Sequence, residues 1–95
     1  MGLTFEWDPQ KDSANQKKHG VNFNEASTVF GDPLGWFQVD EAHSVGELRL
    51  LLLGRSTQGR LLAVLFTDRG DELIRIVSAR LASPREQRKY EKDFR

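Results

Sequence analysis

Apolar residues recur with two different periods along this chain, and the change between them separates a helical opening, a strand-rich middle and a helical end. Phe5-Glu6-Trp7 alternates like a short strand, and Asp8-Pro9 closes it. Asp8 suits an N-cap because its carboxylate can accept from the free N–H groups of a first turn. Pro9 then occupies the position where a missing N–H costs nothing. The helix begun there is predicted to reach about Lys18, with Gly20 as its left-handed terminator and Lys17, Lys18 and His19 facing the negative end of its dipole. Between Gln10 and His19 only Ala14 is apolar, so this helix has almost no face to bury. Lys11, Asn15 and Lys18 share one side, as do Asn15 and His19. Such a helix is either a solvated cover or one whose polar face has a task.

A second helix is predicted from Asn22, the N-cap, with Glu25 completing a capping box and Val21 and Ala26 placed as a hydrophobic staple. Phe23, Ala26, Ser27 and Phe30 follow the i, i+3, i+4, i+7 pattern, so this helix packs on the core until Gly31-Asp32-Pro33 ends it. Strand patterns follow over residues 34–39, 47–53, 60–67 and 72–80. They are separated by a polar loop at 40–46 with His43 and Ser44, a turn at 55–59 and a tight turn at 68–71. Connections this short imply antiparallel hairpins, a meander of three or four strands. Ser83-Pro84-Arg85-Glu86 is the clearest helix start, with Tyr90 and Phe94 as anchors on an otherwise basic helix. The expected class is α+β, a small antiparallel β-sheet packed with two N-terminal helices and one C-terminal helix, forming one domain over residues 1–95.

Alternation sorts the strand side chains onto two faces. Leu48, Leu50 and Leu52 share one, and Ile74 and Ile76 give their own strand a similar apolar side; these can receive the helices. The opposite side carries Glu47 and Arg49 beside Leu51 and Leu53, and Arg75 beside Leu73 and Val77. Arg80 has the opposite parity to Arg75, so the two serve one site only if the strand bulges or ends near Ser78-Ala79. A charge in apolar surroundings must be paired. One account is that Glu47 forms an ion pair with an arginine across the sheet. The other is that neighbouring arginines, cationic at all accessible pH, bind a phosphodiester through planar donor forks.

Composition narrows the field. The 95 residues have zero formal charge, unevenly spread: three lysines against seven acids over residues 1–46, six arginines against four acids over 47–80, and five bases against three acids over 81–95. A dipolar molecule of this kind can offer a basic face to a polyanion. The longest uninterrupted apolar run, residues 50–53, is far short of a membrane span, and residues 1–9 lack the basic-then-apolar pattern of a signal peptide. There is no cysteine, which excludes disulfides and thiolate metal sites and fits a cytoplasmic setting. Neither a Gly-rich phosphate loop nor a metal-binding His spacing is present, so no metal or other cofactor is expected. His43-Ser44 does not make a hydrolase triad, because adjacent loop residues cannot adopt one.

Several strings taken in order resemble the BrnT-type toxins: Phe5-Glu6-Trp7-Asp8-Pro9 with Lys11 and Asn15, Lys18-His19-Gly20-Val21 with Phe23 and Ala26, Val29-Phe30 and Asp32-Pro33. His43-Ser44 with Glu47 and Arg49, Gly54, and Ile74-Arg75-Ile76-Val77-Ser78-Ala79-Arg80 followed by Glu86 and Tyr90 continue the likeness. The resemblance implies a RelE-like fold and a metal-independent endoribonuclease of a type II toxin–antitoxin system that inhibits translation. Its implied partners are RNA and a BrnA-like ribbon–helix–helix antitoxin. DNA is reached only indirectly through that antitoxin, and a toxin dimer within the complex is one arrangement this allows.

Cleavage by attack of a ribose 2′-OH needs a base for the hydroxyl, an acid for the leaving oxygen and cations for the crowded phosphoryl charge. Set against that chemistry, Arg49, Arg75 and Arg80 are the candidates for phosphate stabilisation. His19 is the acid–base candidate, since an unperturbed imidazole titrates near neutrality. Glu47 is a base or an orienting partner, and Tyr90 stacks on a nucleobase or donates a proton. Lys18, Arg85, Arg88 and Lys89 are the candidates for holding RNA. The rival reading is a non-catalytic protein-interaction module whose cations bind an acidic or DNA-binding partner.

Overall fold

The computed structural model of the protein describes residues 2–92. Its elements are β1 (Thr4–Glu6), α1 (Pro9–His19), α2 (Phe23–Thr28), β2 (Trp36–Val39), β3 (Leu50–Arg55), β4 (Leu61–Asp68), β5 (Leu73–Leu81) and α3 (Pro84–Lys92). The strands form one sheet in the order β1-β5-β4-β3-β2. The α+β class and the placement of two helices before the meander and one after it agree with the sequence pattern. β1 adds a feature that local pattern does not show: it runs parallel to β5, pairing Thr4 to Leu73 and Glu6 to Arg75, so the sheet is mixed. The remaining pairs are antiparallel.

The capping chemistry explains the helix ends. Asp8 accepts from the Gln10 N–H, Pro9 opens α1, and Gly20 adopts a left-handed φ of 70° as its terminator. Asn22 accepts from the Glu25 N–H, but the Glu25 side chain does not return to complete the capping box. It is buried and faces Arg60, which donates from Nε at 3.0 Å and from Nη2 at 2.5 Å, while the Ser56 hydroxyl donates at 2.7 Å. Arg60 thereby holds the Glu25 carboxyl below its ordinary range, against the opposing effect of burial. The Ser83–Glu86 capping box does form: Glu86 N–H donates to the Ser83 hydroxyl and Ser83 N–H to the Glu86 carboxylate. The proposed anchor Phe94 lies outside the described residues.

α1 is polar because it is fastened to the sheet by hydrogen bonds. β1 covers the outer edge of β5 only at residues 73–75, which leaves the backbone of Ala79 exposed at that edge. Asn15, buried in α1, receives the Ala79 N–H at 3.1 Å and donates to the Ala79 carbonyl at 2.8 Å, as a neighbouring strand would. Its amide also donates to the Val21 carbonyl. Asp12 accepts from the Phe23 N–H and ties the start of α2 to the same helix.

One face of the sheet packs on the helices. Val21, Phe23, Ala26 and Val29 meet Leu52, Leu62, Val64, Phe66, Ile74, Ile76 and Ala79 in the main core. Gly54 is required where β3 passes the turn after α2, since a Cβ there would lie 2.8 Å from Val29 Cγ1. The opposite face has a smaller cluster of Leu51, Leu53 and Ala63 against Trp36, on the side approached by α3.

Candidate active site

On this second face the arginines come together. Along β4 and β5 the register runs Ala63 to Arg80, Val64 to Ala79 and Leu65 to Ser78, then jumps to Phe66 with Ile76 and Thr67 with Arg75. Val77 is the extra residue of a β-bulge. A bulge shifts the side-chain alternation by one position, so Arg75 and Arg80 point to the same side of the sheet despite their opposite parity. The condition required for a shared site is met within the strand.

Both arginines have acidic partners. Arg75 Nη1 donates to Glu6 Oε2 at 3.1 Å, across the parallel β1–β5 pair. Arg80 makes a two-pronged contact with Glu86, 2.6 Å from Nη1 to Oε1 and 2.9 Å from Nη2 to Oε2. The carboxylate that caps α3 therefore also fixes the guanidinium. Hydrogen bonding from Arg80, opposed by burial, lowers the Glu86 carboxyl to about 2. Arg49, just before β3, has the parity of Leu51 and Leu53. One step beyond the pair Leu50–Phe66 it lies level with Thr67, itself paired with Arg75. A row of Arg49, Thr67, Arg75 and Glu6 thus crosses four strands' worth of sheet.

Glu47 lies in a loop instead of a strand. β3 begins at Leu50 instead of Glu47, because the Ser44 hydroxyl accepts from the Arg49 N–H and donates to the Asp40 carbonyl, closing residues 40–49 into a loop. In that loop Glu47 is paired with Arg69 at 3.6 Å. Tyr90 is buried and donates to Asp32 Oδ2 at 2.5 Å, with Arg55 over its ring. Burial, together with the Asp32 carboxylate, pushes its hydroxyl up to about 12. Burial alone would raise the Asp32 carboxyl as well; hydrogen bonds from the Arg55 N–H, Tyr90 and the Leu34 N–H bring it below its ordinary range. Tyr90 so pins α3 to the turn before β2 and to Arg55 at the end of β3, and fixes the helix that carries Glu86.

His19 is half-buried at the end of α1, on the helix that packs against β5. Lys18 beside it, and Arg85 and Arg88 on α3, are exposed. Lys89 lies with its Nζ 5.2 Å from the centre of the Trp36 ring, on the cationic side of the sheet. Sequence reasoning missed the parts played by Glu6, Thr67 and Glu86. Glu86 could have been suspected from its position in a capping box directly after Arg80; Thr67 sits in an apolar strand without any local signal. Among the described residues no three His, Asp or Glu side chains gather to hold a metal ion, and no helix is long and apolar enough to cross a membrane.

A family model described as the ribonuclease toxin BrnT of a type II toxin–antitoxin system matches residues 7–86. The chain belongs to the BrnT family. It is also similar to the crystal structure of the Brucella abortus ribonuclease toxin BrnT, with a TM-score of 0.62 and 25% identity, over 85% of this chain and 97% of that one. No curated protein matches it. The BrnT match runs from Trp7 to Glu86, so it includes both helices that cover the sheet, the bulged strand and the carboxylate that holds Arg80. As a BrnT-family chain the protein is a ribonuclease toxin of a type II system, with RNA as its substrate class and an antitoxin as its partner.

Proposed function

We propose that this toxin is a metal-independent endoribonuclease that cleaves RNA on the arginine-bearing face of its sheet, through attack of a ribose 2′-OH on the adjacent phosphorus. The bulge at Val77 is the observation that carries the reading, because it puts Arg75 and Arg80 on one side of β5 with Arg49 on the same face. Their cationic forks suit a phosphoryl group gaining charge in the transition state. Their acidic partners preorganise them: Glu6 and Glu86 hold the side chains in place before substrate arrives. His19 is the proton carrier of this proposal, and Glu47 an orienting group on the loop leading to Arg49. Lys18, Arg85, Arg88 and Lys89 supply further contacts to the RNA backbone. Cleavage of this kind inhibits translation, and in the cell it is restrained by a BrnA-like ribbon–helix–helix antitoxin.

Arg75→Ala and Arg80→Ala are each expected to lower RNA cleavage roughly a hundredfold or more, the usual loss for one transition-state donor, with an unchanged circular dichroism spectrum. Purified protein incubated with RNA and a chelator is expected to release fragments ending in cyclic phosphate. Undiminished cleavage in both variants would overturn the site. A second reading draws on the same ion pairs: Arg75 and Arg80 are already neutralised by Glu6 and Glu86, as in a purely structural network on an interaction module. Intact RNA after prolonged incubation would favour it.

A further inference from the structure

Two buried side-chain polar atoms among the described residues have no hydrogen-bond partner, Arg49 Nε and Thr67 Oγ1. They belong to the same row. The β3–β4 register, continued one step past Leu50 and Phe66, sets Arg49 level with Thr67, and the β4–β5 register sets Thr67 directly beside Arg75. Thr67 is only 2% exposed and follows the apolar run from Leu61 to Phe66 along β4. A hydroxyl and a guanidinium N–H buried without partners are unfavourable, and native structures retain such groups where a ligand or a reaction uses them. Both atoms are donors on a face where Arg75 presents a third. Three donor side chains set side by side on neighbouring strands match an oxyanion with several acceptor sites.

We propose that Arg49, Thr67 and Arg75 form the seat for the scissile phosphate of RNA, with the Thr67 hydroxyl and Arg49 Nε–H donating to its non-bridging oxygens. The proposal rests on the ribonuclease reading and adds Thr67 as a substrate-binding residue. It also divides the arginines. Arg75 and Arg80 are held by carboxylates in the free protein, whereas the Nε of Arg49 has no acceptor until a phosphate supplies one. Because both orphan atoms are shielded in the free protein, the side chains around them change rotamer to admit the phosphate.

Thr67→Val removes the hydroxyl while keeping the shape, and Thr67→Ser restores a hydroxyl. With no partner to lose, the valine variant is expected to melt at or above the wild-type temperature. Its kcat/KM on an RNA oligonucleotide is expected to fall roughly ten- to a hundredfold, the worth of a hydrogen bond to a charged group, and the serine variant to recover most of that loss. Wild-type cleavage by Thr67→Val, or equal losses in the valine and serine variants, would overturn the seat. In parallel, a 2′-O-methyl oligonucleotide, which lacks the attacking hydroxyl, is titrated into the protein while the Arg49 Nε–H resonance is followed by NMR. That resonance is expected to move in the wild type and to need a higher oligonucleotide concentration in Thr67→Val; a stationary resonance would overturn the proposal. Binding without any cleavage of ordinary RNA would support the seat and overturn the ribonuclease reading instead.

Discussion

The two faces of the sheet are made from the same strands and obey opposite rules. On the helix-covered face the polar groups that go inside are matched from within: Asn15 bonds to both backbone groups of Ala79, and Glu25 receives Arg60 and Ser56. On the other face Arg49 and Thr67 each keep a buried side-chain atom unmatched. β5 shows the contrast within three residues, since Ile74 and Ile76 are buried in the main core while Arg75 between them is directed away from it. A period of two lets one strand serve stability and chemistry with little interference. Substitutions on the covered face should therefore act on folding, and those on the arginine face on RNA cleavage.

The widest separation is expected between Phe23→Ala and Arg75→Ala. Phe23 is fully buried, with its ring edge-on to Trp7, and truncation should cost about 3–5 kcal/mol in urea unfolding. That is a large share of the stability of a domain this size. Arg75 and Glu6 are each more than a third exposed, and losing such a pair costs about 1 kcal/mol or less. If Arg75→Ala unfolds as readily as Phe23→Ala, the division between the faces fails. Asn15→Ala comes next, at about 3 kcal/mol, because it strands backbone groups of Ala79 and Val21 in the interior. Asn15 also seats the helix that carries Lys18 and His19, so its variant should lose part of the wild-type rate on RNA even at temperatures where it is folded, by less than Arg75→Ala does.

What could be read from sequence follows the range of the forces involved. The caps at Asp8-Pro9 and Ser83-Pro84-Glu86, the hairpins and the two strand faces depend on neighbours within a few residues, and they are present as expected. The parallel pairing of β1 with β5 joins residues nearly seventy positions apart and leaves no local trace. Glu25 looked like half of a capping box because the arginine that claims it lies 35 residues away. Asn15 was visible only as an anomaly, a helix without a face to bury. The bulge at Val77 was visible as a conflict: two arginines of opposite parity, wanted on one side, in a run free of glycine and proline. Alternation carries the strand pattern back to Glu47, through residues that Ser44 and Asp40 hold as a loop.

The smallest expected effect bears on the one residue that serves both roles. Glu86 caps α3, which belongs to folding, and grips Arg80, which belongs to the site. Glu86→Gln keeps a side chain able to cap but removes the charge; with Arg80 42% exposed and the pair partly screened by solvent, a loss of about 1 kcal/mol is expected near neutral pH. Its pH dependence identifies the cause. The carboxyl is near 4.5 when unfolded and about 2 when folded, so its contribution is fully present above 4.5 and fades as pH falls from there towards 2. Urea midpoints of wild type and Glu86→Gln should therefore differ at pH 7 and approach one another across that interval. A constant difference down to pH 2 would mean that the substitution acts through packing of α3, and that the grip on Arg80 adds nothing to folding. Convergence would show that the acidic partner of a site arginine also contributes to the stability of the fold.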